Sequence, residues 1–136
     1  MVKVIRDIWI MTNFGTVLFS RVFNEEVDAN LFGAMMSALN FFAEGLSKGG
    51  LSSFILKNKC FSILKLEECI LIANYHKKSQ EKKAQKELFL IGEKFLEKYS
   101  DDLVNFHGQI NIFDKFKKEI DDSLEDIVEK MKEGFW

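Results

Sequence analysis

Hydrophobic residues form two kinds of pattern along the chain, and the first kind predicts β-strands. Residues 2–11 and 16–23 are rich in Val, Ile, Trp and Phe. Asn13 and Gly15 lie between them and are typical turn residues, so the pair is predicted to form a hairpin. The unbroken apolar run at residues 8–11 is typical of a strand that is covered on both faces.

Three further β-rich segments, residues 51–57, 60–66 and 69–75, are separated by only two residues each. Such short separators predict consecutive antiparallel hairpins. The connection between the second and third strands is long and helical, so these two strands need not be neighbours. If the fifth strand returns beside the first, the strand order is 2-1-5-4-3, and the first strand is interior, in agreement with its apolar run.

The second kind of pattern places apolar residues three or four positions apart and predicts helices. The three predicted helices cover residues 25–46, 79–99 and 112–132. Asn24 is the predicted N-cap of the first helix, and Ser79 caps the second. The result is a single α/β domain over residues 1–136, with the order ββαβββαα and an antiparallel-rich mixed sheet of five strands.

The first helix carries almost no charge, and a helical wheel with about 100° per residue divides it into three sectors. The first sector is a continuous apolar face, predicted to pack on the sheet: Val27, Leu31, Ala34, Met35, Ala38, Phe41 and Phe42. The second sector widens the apolar arc to roughly 220°: Phe32, Met36, Leu39 and Ala43. The third is a row of small or polar residues: Ala29, Gly33, Ser37 and Asn40.

The apolar arc of the first two sectors is wider than a surface helix needs, because a stripe about half as wide suffices to cover a core. The third sector carries almost no charge, where a surface helix would carry Lys and Glu. Small residues let another backbone come close, and Gly33 costs about 1 kcal/mol against alanine, which a packing role would explain. We therefore predict that these sectors and the edge strand contact another chain. The predicted interface residues are Ala29, Phe32, Gly33, Met36, Ser37, Leu39, Asn40, Ala43, Ser53, Ile55 and Lys57. There are two alternatives: the chain's own loops or sheet cover these sectors, or a bound lipid or small ligand does.

The composition of the chain limits the kinds of molecule that are expected to bind it. The chain has 136 residues, of which 47% are hydrophobic, enough for one domain with a core. Its net charge of -2 offers no broad basic surface, so nucleic acid is not an expected partner. The lysine-rich segment 76–86 is interpreted as a solvated helix start, with contact to an acidic partner or a membrane surface as the alternative.

No integral membrane segment is expected, and the chain is predicted to be cytoplasmic. The longest charge-free run, residues 29–43, is shorter than the roughly 20 residues of a spanning helix. Lys3, Arg6 and Asp7 interrupt the apolar N-terminus, which is therefore interpreted as neither a signal peptide nor an anchor.

The sequence gives no positive sign of catalysis, metal binding or a cofactor. The glycine-rich residues 45–52 lack the lysine of a P-loop and join a helix to a strand, the reverse of a P-loop. His76 and His107 have no metal-like spacing to other ligands. Cys60 and Cys69 are predicted as buried, reduced thiols at opposite ends of a hairpin. An enzyme would need a polar cleft lined by His107, Asp101 or Asp102.

The order of elements resembles the longin domain, as do the hairpin IWIMTNFGTVLFSRVF, the apolar first helix and the late segment VNFHGQINIFDKF. Longin domains form the SNARE-like fold of vesicular SNAREs, small adaptin subunits and TRAPP subunits. The closest competing assignment is the roadblock fold, but roadblock domains usually begin with a helix, whereas a strand comes first here. Because no SNARE segment or anchor follows, the chain is most similar to the stand-alone longin proteins of prokaryotes, archaea in particular.

The longin resemblance implies one helix on one face of the sheet and two on the other, and binding rather than catalysis. The pattern of the first helix predicts a contact most simply with a second copy by two-fold symmetry, hence a homodimer, and the resemblance adds a heterodimer with another longin or roadblock-type domain. A small GTPase or a vesicle-trafficking-like assembly as the partner rests on the resemblance alone. The rival hypothesis is a sensing domain that holds an apolar small molecule or lipid between the sheet and the first helix.

Overall fold

The computed structural model describes residues 4–22 and 28–120. Its strands are β1 (Ile8–Met11), β2 (Val17–Arg21), β3 (Ser53–Leu56), β4 (Lys59–Lys65) and β5 (Ile70–Tyr75). Its helices are α1 (Ala29–Leu46), α2 (Glu81–Val104) and the stretch 116–120, called α3 here, with short 3-10 turns at Lys78–Gln80 and Asn111–Phe113.

The five strands form one sheet in the order β2-β1-β5-β4-β3, which confirms the predicted order. Each neighbouring pair is antiparallel. The interior position of β1 explains its unbroken apolar run, since every one of its four side chains is buried.

Alternate side chains of the interior strands face two separate cores, because successive residues of a strand point to opposite faces. Ile8 and Ile10 of β1 belong to a core that includes α2 and α3. Trp9 and Met11 belong to the other core, with Met36 of α1. One helix therefore covers one face of the sheet and two cover the opposite face.

The first strand begins at Ile8, six residues later than predicted. The backbone N–H groups of Val4 and Ile5 donate to the buried carboxylate of Glu87 on α2, at 3.2 and 2.9 Å, instead of to a neighbouring strand. The apolar pattern predicts that Val4 and Ile5 are buried. It does not predict that their backbone N–H groups donate to a carboxylate far away in the sequence.

The helix boundaries also differ from the predicted ones. Asp28 caps α1, because its carboxylate accepts from the N–H groups of Asn30 and Leu31. The predicted cap, Asn24, lies outside the described residues, as does the predicted third helix beyond residue 120. Ser79 lies within a 3-10 turn instead of capping α2.

The second helix continues to Val104, beyond the predicted end near Tyr99. Leu103, one turn after Tyr99, packs against the same core and extends the apolar stripe. The polar residues of this last turn, which indicated a loop, occupy its solvent side.

Both cysteines are free and buried, as predicted. Cys60 pairs with Tyr75 at one end of the β4–β5 hairpin, and Cys69 follows the turn at its other end. Burial, with a smaller contribution from Glu68, raises the pKa of the Cys69 thiol to about 12. The thiolate, which is the reactive form, is therefore scarce at neutral pH.

Candidate interaction surface

The side of α1 that contains Gly33 lies directly on the β1–β2 turn. A Cβ atom at Gly33 would overlap the carbonyl oxygen of Gly15 and come within 2.9 Å of Val17 Cγ2. Gly15 itself has a φ of +93°, a conformation that favours glycine in this turn. The small residues of α1 thus allow a close contact with the chain's own backbone.

The neighbouring residues of this side also pack within the domain. Phe32 stacks on Trp9 with ring centroids 4.1 Å apart, and Met36 is buried in the same core. The Asn40 side chain accepts from the N–H of Leu51 at 3.2 Å, which ties the C-terminal half of α1 to the segment before β3.

A small cavity lies between the middle of α1 and the sheet. The cavity there, lined by Met11, Met36, Ile63 and Ile72 among others, has a volume of about 20 Å³. This is room for about one water molecule. This cavity is too small for an apolar ligand, which the rival hypothesis from the sequence places between the sheet and α1. A second cavity of about 270 Å³ lies between the C-terminal half of α1 and the sheet, and it is lined by Asn13, Ser37, Asn40, Phe41, Glu44, Lys65 and Ile70. The ligand hypothesis therefore stays a prediction.

The opposite side of α1 is exposed and apolar, so the predicted orientation of the helix is wrong. Among the residues predicted to face the sheet, Met35 is 59% exposed, Phe41 80% and Phe42 66%. Val27, assigned to the same sector, lies outside the described residues. The helix has this orientation because Gly33, which has no side chain, permits the close contact with the β1–β2 turn, while Phe32 and Met36 beside it fill the core.

The predicted interface residues divide into two groups. Seven of the α1 residues are buried or half-buried: Ala29, Phe32, Gly33, Met36, Ser37, Asn40 and Ala43. Leu39 is exposed, as is Ile55 on the edge strand β3. Ser53 of β3 is half-buried, and Lys57 is exposed in the turn that follows the strand.

We call the exposed apolar side the outer face of α1, and it includes residues that the sequence did not assign to an interface. Its large side chains are Leu31, Met35, Leu39, Phe41, Phe42 and Leu46. Glu44 is the one charged residue in α1, and it lies outside this group. The sequence signal that was missed is the spacing of residues 31, 35, 38 and 42, in steps of four, three and four, which is typical of helix-to-helix packing.

A second exposed apolar feature is the edge strand β3. Its backbone pairs with β4 on one side, and Ile55 and Leu56 are 59% and 53% exposed. An antiparallel edge with unpaired backbone groups can accept another strand. By contrast, most side chains of β2, at the opposite edge, are buried.

The described residues provide no cluster of three or more His, Cys, Asp or Glu side chains that could hold a metal ion. Asp101, Asp102 and His107, the three candidates for a polar cleft, are all exposed to solvent. In the part of the chain that the structure covers, no helix is both long and apolar enough to span a membrane.

Comparison with known proteins gives no family: no family model matches, and no curated protein matches. Several solved structures are similar in shape. Myxococcus xanthus MglB has 12% identity and a TM-score of 0.46, with 66% of this chain and 85% of that chain covered. A Roadblock/LC7 domain from Streptomyces avermitilis has 13% identity and a TM-score of 0.44, with 57% and 70% covered.

An MglB structure with a tetrameric arrangement has 11% identity and a TM-score of 0.42, with 53% of this chain covered. The present chain spans 60% of the length of that protein. Similarity at this level does not assign the chain to a family.

Proposed function

We propose that this chain is a non-catalytic protein-interaction module that docks a second domain on the outer face of α1. The simplest occupant is a second copy of the chain, related by a two-fold axis, with the edge strand β3 taking part in the contact. The observation that carries this proposal is the exposure of six large apolar side chains on one face of one helix.

An exposed apolar face of this extent is unusual for a helix in water. Leu31, Met35, Phe42 and Leu46 lie within about 60° of one another around the helix axis, so they form one stripe. Contiguous apolar patches of this kind mark interaction sites. Their burial against a partner would remove apolar area from water, which is the main favourable term in association.

The stripe also has the geometry that a symmetric contact requires. In a two-fold interface the same surface meets itself, so it must be self-complementary. Steps of four and three residues let the side chains of one helix fit between those of an identical helix. The outer face carries no charged side chain that would repel its own copy.

The biological setting in this proposal is an assembly that includes a small GTPase, and it rests on the resemblance of the sequence to longin domains. A test is affinity capture from the native lysate with GDP or a GTP analogue present, followed by mass spectrometry. A small GTPase enriched over an unrelated bait supports this part. Its consistent absence in both nucleotide states contradicts it.

The dimer itself is tested by sedimentation equilibrium at micromolar concentration. The unmodified chain is expected at twice its monomer mass of 15.8 kDa. The double variant Met35→Glu/Phe42→Glu is expected at the monomer mass with its fold intact, because both side chains are exposed within the domain. Two charges in an apolar contact weaken it by well over tenfold.

The matched control is Phe89→Glu, which replaces a side chain on α2 that is 50% exposed and lies outside the outer face. This variant is expected to remain dimeric. A chain that is monomeric at every concentration contradicts a second copy as the occupant. A double variant that stays dimeric places the contact elsewhere.

A further inference from the structure

We propose that one end of the sheet is a docking surface for an anionic lipid membrane. This surface, called the basic end here, gathers cations from three separate parts of the chain. Its members are Arg6, Lys57, Lys59, Lys77, Lys78, Lys82, Lys83 and Lys86. The proposal does not depend on the outer face of α1, because none of these residues belongs to that helix.

Strand pairing brings these three parts together. Lys57 is in the turn that joins β3 to β4, and Lys59 is the first residue of β4. The neighbouring Cys60 pairs with Tyr75, the last residue of β5, so Lys77 and Lys78 follow at the same end.

The segment before β1 reaches the same end. The N–H of Arg6 donates to the carbonyl oxygen of Asn74 near the end of β5, at 2.9 Å. The guanidinium of Arg6 lies 2.7 Å from His76 Nε2. Lys82, Lys83 and Lys86 are on the first turns of α2, and this helix begins at the same end of the sheet.

The three described segments of the basic end, residues 6–7, 57–59 and 76–87, carry a net positive charge, although the whole chain has a net charge of -2. These three segments contain the eight cations named above and three carboxylates, those of Asp7, Glu81 and Glu87. Glu87 is buried and accepts from the backbone of Val4 and Ile5. Within the described ranges, none of the seven lysines has an ion-pair partner, and all of them are exposed.

The arrangement of these charges favours a flat, extended polyanion over a small anionic ligand. The cations lie on turns and on a helix start, where the strands end, and none of them lines the cavity beneath α1. Seven of the eight are lysines, which act as mobile point charges and not as the planar fork that recognises a single phosphate.

A lipid surface fits these features better than nucleic acid or a protein. Among the described residues, the three segments of the basic end expose no Phe, Tyr or Trp for stacking on bases. A folded acidic partner would have to match cations spread over three segments, whereas a fluid lipid surface needs no fixed arrangement of the flexible lysine side chains. Each Lys or Arg close to an anionic membrane contributes about 1 kcal/mol to its attraction, so eight cations at one end of the sheet can together hold the domain on such a surface.

The test is vesicle co-sedimentation of the full chain at low salt. Vesicles of phosphatidylcholine with roughly 30% phosphatidylglycerol are compared with phosphatidylcholine alone. Binding is expected to the anionic vesicles only, and to be lost at high salt, because exposed charges are then screened. The variant Lys59→Glu/Lys77→Glu/Lys78→Glu/Lys82→Glu, which leaves Lys57 beside β3 unchanged, is expected to bind at least about tenfold more weakly.

The matched control reverses four exposed lysines elsewhere: Lys48→Glu/Lys94→Glu/Lys115→Glu/Lys118→Glu. It has the same net charge as the test variant, and it is expected to retain clearly more binding. Circular dichroism and thermal unfolding verify that both variants are folded. Equal loss in the two variants, or no binding of the unmodified chain to anionic vesicles, overturns the proposal. Binding to soluble polyglutamate without binding to anionic vesicles also overturns it, in favour of an acidic protein.

Discussion

Replacement of Gly33 by alanine is expected to lower the free energy of unfolding by about 3 kcal/mol, or to prevent folding. The added Cβ would overlap the carbonyl oxygen of Gly15 and press on Val17. The obstacle is backbone, which cannot rotate away as a side chain can. In an isolated helix the same replacement stabilises by about 1 kcal/mol, so the sign of the effect reports the contact.

Gly45, in the last turn of the same helix, is the matched control. A Cβ at this position has no atom within 4 Å outside its own helix. Gly45→Ala is therefore expected to leave stability unchanged or to raise it by up to about 1 kcal/mol. Urea unfolding followed by circular dichroism measures both variants. If Gly33→Ala is as stable as Gly45→Ala, α1 does not lie on the β1–β2 turn.

The second large effect is expected at Glu87. Leucine in its place removes the acceptors of two backbone N–H groups, those of Val4 and Ile5, which are buried. Unsatisfied buried donors cost about 1–3 kcal/mol each. Glu87→Leu is therefore expected to lose about 3 kcal/mol of stability. Glu87→Gln keeps one carbonyl acceptor and is expected to lose less.

The control for this prediction is Glu93→Leu, an exposed carboxylate on the same helix. Its replacement is expected to change stability by less than about 0.5 kcal/mol. Hydrogen exchange of the Val4 and Ile5 amides adds a local readout, because these amides are expected to lose protection only in the Glu87 variants. Equal stability of Glu87→Leu and Glu93→Leu would contradict the role assigned to Glu87.

The strand order could be predicted from the sequence because two local signals agree. Two-residue separators define the β3–β4–β5 meander, and the doubly apolar β1 requires an interior position. Both depend on residues close in sequence. The start of β1 could not be predicted in this way, since it is fixed by Glu87, about 80 positions away.

The orientation of α1 illustrates a different limit. A helical wheel identifies the buried face of a helix when the opposite face is charged, as in α2. In α1, with Glu44 as its one charged residue, both faces are apolar and hydrophobicity does not choose between them. The choice is steric: the close approach to Gly15 admits Gly33 and excludes the large side chains of Met35 and Phe42.

If a partner covers the outer face of α1 in solution, that face is shielded from reagents. Cys60 and Cys69 are buried, so alkylation of the folded chain with a maleimide reports on an introduced cysteine. The variants Met35→Cys and Phe89→Cys place a thiol on the outer face and on α2.

If two copies meet through α1, the alkylation rate of Met35→Cys falls at least about tenfold between nanomolar and high micromolar chain concentration, as the dimer fills. The rate of Phe89→Cys stays constant over the same range. Equal, concentration-independent rates at both positions would contradict a second copy on the outer face.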